Sequence, residues 1–276
     1  MRSLASRQNP FIKGLMKLKG VHGREKDGRF LVEGVRLVEE ALRARVPLEA
    51  AVVAEGAAGE RGGRLAALLV DLEQAGVNVI EVPTAVFREL AETETPQGVI
   101  AVAREGAAGR STPADLAARP GAGGPPLVVV LDGVQDPGNV GTILRSAAAF
   151  GAGGVVVGQG TAALNQPKVL RASMGAAFRM PTAGGREAVA VADAFRQAGL
   201  TTVAAIAEGG ERLTTINLRR PVAIIVGNEG GGVSQEWLSL VDRKATISMP
   251  GPTESLNAAV AASILLYEVV RQRNLT

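Results

Sequence analysis

The sequence contains no cysteine and a single histidine, His22. Without thiols there is no disulfide, no thiolate metal site and no cysteine nucleophile. One imidazole is too few for a histidine-rich metal site or a Ser/His/Asp triad, so no metal is expected. The lack of cysteine suits a reducing cytoplasm. Long apolar runs are missing as well. A membrane helix needs about 18 uninterrupted apolar residues, and the most apolar helical segment, 258–270, is broken by Glu268. Met1-Arg2-Ser3-Leu4 leads into no apolar h-region, so no signal peptide is expected. The protein is read as soluble and cytoplasmic, with no membrane partner.

What is present points to two domains. The chain has 276 residues, 46% of them apolar, enough for a well-filled core. Between Gly106 and Pro126, 5 Gly, 4 Pro and 6 Ala make a poor core and a good linker. The expected division is a domain over 1–105, a linker over 106–126 and a second domain over 127–276. Net charge is only +3, but residues 1–45 carry 11 Lys/Arg against 5 Asp/Glu, whereas residues 46–126 carry 6 against 11. Positive charge gathered at one end is what a phosphate-facing surface requires; a solvated helix face reads the same on charge alone.

In the first domain Phe11, Ile12, Leu15 and Met16 share a helical face, with Lys13, Lys17 and Lys19 around it. Short strands are expected at 31–32, 50–53, 77–82 and 99–102, with helices over 35–45 and 64–75, which makes a small α/β sandwich. In the second, apolar β-branched runs at 127–131, 154–157, 201–206, 222–226 and 245–249 read as buried parallel strands. Helices are expected over 140–150, 168–177, 187–198, 234–241 and 256–271. The fold class is therefore α/β, with an open sheet covered by helices on both faces.

Three loops follow strands and precede helices, where such sheets place ligands. They begin at Asp132, Gly227 and Met249. The glycines of the first, Gly133, Gly138 and Gly141, do not fit G-x-G-x-x-G, and no loop carries the G-K-[ST] of a P-loop. Asn139 suits a helix N-cap, and Arg145, six residues on, offers a fork of donors for phosphate or carboxylate. Taken alone the two read as a cap and a surface arginine. Glu229, among glycines after a buried strand, can hold a partner such as Arg145 or a ligand hydroxyl, or cap the next helix. Ser255 and Asn257 are capping types as well. Their recurrence at three strand ends that should meet in space favours a site.

At these loops the sequence resembles the SpoU branch of the SPOUT RNA methyltransferases, the TrmH-like 2′-O enzymes. The resemblance covers 127 to about 273, through Asp136-Pro137-x-Asn139-x-Gly141-x-x-x-Arg145, then Val226-Gly227-Asn228-Glu229-Gly230-x-Gly232-x-Ser234, then Ser255-Leu256-Asn257 with Ala261-Ala262-x-x-Leu265-Leu266-Tyr267-Glu268. Ser6-x-x-Asn9-Pro10-x-Ile12-Lys13 and Arg29-Phe30-x-Val32-Glu33-Gly34 resemble, more loosely, the family's L30e-like substrate-binding domain, in agreement with the basic N-terminal segment. The resemblance implies a C-terminal trefoil knot, a homodimer and S-adenosylmethionine as cofactor. It implies cofactor contacts at Gly227, Ile247, Met249 and Leu256, and a catalytic cluster of Asn139, Arg145, Glu229, Ser255 and Asn257. One departure stands out: the family commonly reads Ile-Pro-Met where this chain reads Ile247-Ser248-Met249-Pro250.

The implied reaction is transfer of a methyl group to a ribose 2′-hydroxyl of RNA, which must be held about 3 Å from the methyl carbon. A guanidinium is a poor base, so Arg145 is expected to orient the hydroxyl or stabilise the growing oxyanion, with Glu229 fixing its geometry. The two-domain layout resembles the ribosomal-RNA members, and 23S ribosomal RNA is the expected substrate. A tRNA enzyme, a non-catalytic RNA-binding knot protein and a nucleotide-dependent oxidoreductase are the alternatives. His22 is expected to face RNA or solvent, Trp237 to serve packing or a dimer contact, and Tyr267 to lie in the core.

Overall fold

The computed structural model describes residues 2–4, 6–20, 28–60, 63–105, 111–122, 124–184 and 187–274; His22 lies outside them. The chain forms two compact units, Met1–Ala107 and Ala108–Thr276.

The first unit holds β1 (Arg2–Ser3), α1 (Pro10–Lys17), β2 (Arg29–Glu33), α2 (Val35–Arg43), β3 (Leu48–Ala54), α3 (Ala57–Glu60), α4 (Arg64–Gln74), β4 (Asn78–Val82), α5 (Thr84–Leu90) and β5 (Val99–Arg104). Its sheet runs β1-β4-β3-β5-β2, with β5 antiparallel to both its neighbours. Much of what resembled a substrate-binding motif has a structural job here. The Asn9 side chain accepts from the amide of Phe11 at 2.9 Å and Pro10 opens α1, a capped start with proline where no donor is needed. Buried Glu33 takes the amides of Glu92 at 2.7 Å and Thr93 at 3.3 Å, so it pins the loop ahead of β5. Lys19 is turned inward, donating to the carbonyls of Glu89 and Ala91 at the end of α5.

The second unit holds α6 (Pro113–Ala117), β6 (Leu127–Asp132), α7 (Pro137–Ala149), β7 (Gly154–Val157), α8 (Pro167–Ser173), β8 (Thr182–Gly184), α9 (Ala188–Gln197), β9 (Thr201–Ala205), β10 (Glu211–Arg212), β11 (Val222–Gly227), α10 (Gln235–Leu240), β12 (Arg243–Thr246) and α11 (Ala258–Asn274). Seven strands pair in the order β10-β12-β9-β11-β6-β7-β8, all parallel. Strand β6 shows why the sequence is apolar at successive positions. Leu127, Val129 and Leu131 enter a core with Ile143, Leu144, Leu265 and Leu266, while Val128 and Val130 enter another with Phe195 and Trp237. A strand covered on both faces must be apolar on both.

Several expectations are corrected. The stretch read as a linker contains α6, capped by Thr112 and Asp115, with Leu116 fully buried; its small residues hid a helix start. The fifth strand ends at Thr246, and Ile247 to Pro250 leave the sheet. Helix α7 begins at Pro137, with Asp136 as its cap accepting from the amide of Asn139 at 2.9 Å, so Asn139 lies inside the first turn. Strands β8 and β10, of 3 and 2 residues, are too short to leave a pattern. Trp237 is buried, whereas Tyr267 is 56% exposed and meets Phe150 edge to face at 6.2 Å. Arg273 locks the last helix down, its guanidinium donating to the carbonyls of Pro125, Pro126, Leu218 and Arg220.

Candidate active site

Strands β6 and β11 lie side by side in register, Gly227 opposite Asp132, so the loops that leave them emerge together. Short bonds tie them. The Asn228 side-chain amide donates to the carbonyl of Gly133 at 2.9 Å, and the amide of Ser234 donates to the Asp132 carboxylate at 2.7 Å. Asn228 also accepts from the amides of Gly230 and Gly231, at 2.8 and 3.1 Å, which curls its own loop. Asn228 had not been singled out from the sequence, though an Asn ahead of glycines is a turn signal.

Glu229 is the junction. Its carboxylate accepts the amides of Gln135 and Asp136, both at 3.1 Å, and the side-chain amide of Asn139 at 2.9 Å. The Asn139 oxygen in turn accepts from the Asn257 side-chain amide at 2.9 Å. The Asn257 oxygen caps α11, taking the amides of Ala259 at 2.9 Å and Val260 at 3.3 Å. Each amide therefore donates on one side and accepts on the other, and this alternation fixes both orientations. A single relay, Glu229 to Asn139 to Asn257, joins three loops far apart in sequence.

The expected pairing of Glu229 with Arg145 is not there. Arg145 is exposed on α7 and makes no hydrogen bond or ion pair with a described residue, while the Glu229 carboxylate is taken up by amides. The reason is helical phase: six residues turn about 240° around a helix, which puts Arg145 and Asn139 on different sides of α7. Ser255 lies exposed in the loop before α11.

Beside the relay lies a cavity of about 560 Å³. Gly227, Ile247, Met249 and Leu256 line it, together with Glu229, Ser255 and Asn257; Asn139 and Arg145 do not. Pro250 lies beyond the lining residues, so the shifted proline leaves Ile247 and Met249 on the wall. Gly227 has a separate reason to be glycine. A Cβ there would come within 2.1 Å of the Gly232 carbonyl carbon.

Burial pushes the Glu229 carboxyl up, but the bonds from Asn139, from its own backbone and from the amides of Gln135 and Asp136 outweigh that and hold it below the ordinary carboxylate range. A lowered folded value gives stabilisation that is complete above the unfolded pKa of about 4.3 and is lost as pH falls through the folded one. The difference in melting temperature between the wild type and Glu229→Gln should therefore be constant around neutrality and close only below about pH 4. A difference that closes towards neutral pH would contradict this assignment.

An open parallel sheet with a ligand-sized cavity at the carboxyl ends of its strands is the architecture of an α/β enzyme. Known proteins narrow that class. Residues 126–267 match the SpoU rRNA Methylase family, and residues 9–101 match the MRM3-like substrate binding domain. The 23S rRNA (guanosine(2553)-2′-O)-methyltransferase RlmP of Bacillus subtilis is 34% identical over 98% of this chain and 99% of its own. A crystal structure of an RNA 2′-O ribose methyltransferase superposes with TM-score 0.81 at 37% identity, covering 99% of this chain and 100% of that one. The AdoMet-bound rRNA methyltransferase of Sinorhizobium meliloti superposes with TM-score 0.85 at 28% identity, covering 100% and 99%. The chain belongs to the SpoU rRNA Methylase family.

Proposed function

We propose that the protein methylates a ribose 2′-hydroxyl of RNA with S-adenosylmethionine as methyl donor. The observation that carries this reading is the Glu229–Asn139–Asn257 relay at the rim of a ligand-sized cavity. The cavity fits the donor: its volume lies in the range of ligand pockets, and it joins apolar walls to a glycine loop rich in exposed backbone groups. Gly227, Ile247, Met249 and Leu256 would hold it. When bound, the donor supplies an electrophilic methyl group on a sulfonium.

The chain's own residues do the rest. The relay fixes the rim so that a ribose can be held in one orientation, which is the main entropic gain open to such a reaction. Asn257 and Ser255 line the cavity, which supports a role for both in contacting ribose. Arg145, held out of the relay, is available to an incoming RNA, where it orients the hydroxyl and stabilises charge growing on its oxygen. The hydroxyl would give up its proton to solvent as the O–CH₃ bond forms in place of the donor's S–CH₃ bond, leaving a neutral thioether. The resemblance to RlmP over nearly the full length supports 23S ribosomal RNA as the substrate, in the cytoplasm. The trefoil knot implied by the sequence resemblance belongs to this proposal.

A homodimer belongs to it too. Val260 and Tyr267, 47% and 56% exposed, stand two turns apart on one face of α11, and Tyr267 meets Phe150. Sedimentation should return a dimer for the wild type and a monomer for Tyr267→Asp; a monomeric wild type would remove the dimer from the account. The reaction itself is tested with labelled S-adenosylmethionine and undermodified total RNA, fractionated by size. Label in 23S ribosomal RNA is expected. Label in tRNA would keep the chemistry and overturn the substrate.

A further inference from the structure

Lys168 was not among the residues expected to matter. It sits in the first turn of α8, directly after Pro167. A cation there is opposed by the helix dipole, which favours negative charge at an N-terminus. Helix stability therefore does not explain it. Its surroundings do: the Lys168 ammonium lies 2.7 Å from one Asp136 carboxylate oxygen, while the other oxygen accepts the amide of Asn139 at 2.9 Å. The Asp136 backbone amide points the other way, into the Glu229 carboxylate at 3.1 Å. Asp136 is thus bound to both members at the start of the relay, and Lys168 holds the carboxylate oxygen that the Asn139 amide leaves free.

The packing supports this arrangement at two points. A Cβ at Gly138 would come within 2.7 Å of the Asp136 carboxylate and 3.2 Å of the Lys168 side chain, so glycine leaves room for the pair. A Cβ at Gly141 would come within 2.6 Å of the Ala172 Cβ and of the Val169 carbonyl oxygen. Helices α7 and α8 are therefore in close backbone contact, and the base of Lys168 is set relative to Asn139.

We propose that Lys168 is a positioning residue for methyl transfer, acting through Asp136 on Asn139 and Glu229. The inference rests on the reaction proposed above. The bond from Lys168, followed by the amide of Asn139, holds the Asp136 carboxyl below its ordinary range, in keeping with a carboxylate that accepts from both groups. The pair is largely exposed, with 58% and 42% of the two side chains accessible, so its contribution to global stability is small. What it contributes is geometry at the relay.

The test is steady-state methyl transfer to RNA by the wild type, Lys168→Ala, Lys168→Arg, Asp136→Asn and the double variant Asp136→Asn/Lys168→Ala, with donor affinity measured by calorimetry. Lys168→Ala is expected to lower kcat about 10- to 100-fold, the usual effect of losing a group that orients a functional one. KM for RNA, donor affinity and melting temperature should stay close to wild type, Lys168→Arg should recover most of the loss, and the double variant should be no worse than Asp136→Asn alone. An unchanged kcat overturns the proposal. So does a raised KM for RNA with unchanged kcat, which would make Lys168 a phosphate contact. A wild type that transfers no methyl would remove the reaction itself, and the role of Lys168 with it; a working wild type with an equally active Lys168→Ala removes only the role.

Discussion

Replacing Arg145 with alanine should lower methyl transfer about 100- to 1000-fold, the cost of removing one donor aimed at developing charge, while donor affinity stays close to wild type. The expectation follows from where the side chain is not. It lies off the cavity wall and outside the relay, so its loss removes nothing that holds the donor. It is exposed, and the described part of the chain gives it no partner. Gly138 and Gly141 meet α8, and residue 145 follows Gly141 by one turn, so Arg145 emerges on that same side of α7. Among the described residues nothing pairs with the guanidinium, and an incoming RNA would offer it a ribose oxygen and phosphates. Arg145→Lys keeps the charge but loses the planar fork and should recover little. Near-normal turnover by Arg145→Ala, measured with saturating donor, would take this residue out of the mechanism.

Gly227→Ala should fail differently, in folding and in donor binding together. Its Cβ would lie 2.1 Å from the carbonyl carbon of Gly232 and 2.2 Å from the Gly232 oxygen and the Val233 nitrogen. These are backbone atoms, with no rotamer to swing aside. The loop cannot drift either, because Asn228 and Gly232 exchange amide-to-carbonyl bonds in both directions, each of 2.9 Å. Accommodation must displace the turn that carries Glu229 or the buried end of β11. Overpacking of this kind costs about 3 kcal/mol. Denaturant titration should show that loss, and calorimetry should show weakened donor binding, since Gly227 lines the cavity. A variant that is stable and binds the donor normally would mean that the turn is softer than its bonds suggest.

Parts of this were legible in the sequence and parts were not. The run from Leu127 to Leu131 declared a doubly covered parallel strand, and three polar clusters at strand ends declared a meeting place. The wiring inside that place was harder to read. Charge complementarity suggested Glu229 with Arg145, but the phase of α7 separates them and gives Glu229 three amides instead. Asn139 looked like the cap because its side chain suits the role. Pro137, which marks a first helical position, was the better signal and points to Asp136. Tyr267 was placed in the core from its apolar neighbours, yet a long helix in a single unit has an outer face as well. Lys168 had no local signal, since its partner lies 32 residues earlier and only the packing of two helices brings them together.

The methyl group is expected to land on a ribose oxygen. The most direct measurement is alkaline hydrolysis of RNA that the protein has labelled from radioactive S-adenosylmethionine. A 2′-O-methyl group blocks the neighbouring hydroxyl attack that cleaves RNA, so the label should run as alkali-resistant dinucleotides, and Arg145→Ala should leave almost none. Label recovered in mononucleotides would place the methyl on a base and contradict the account.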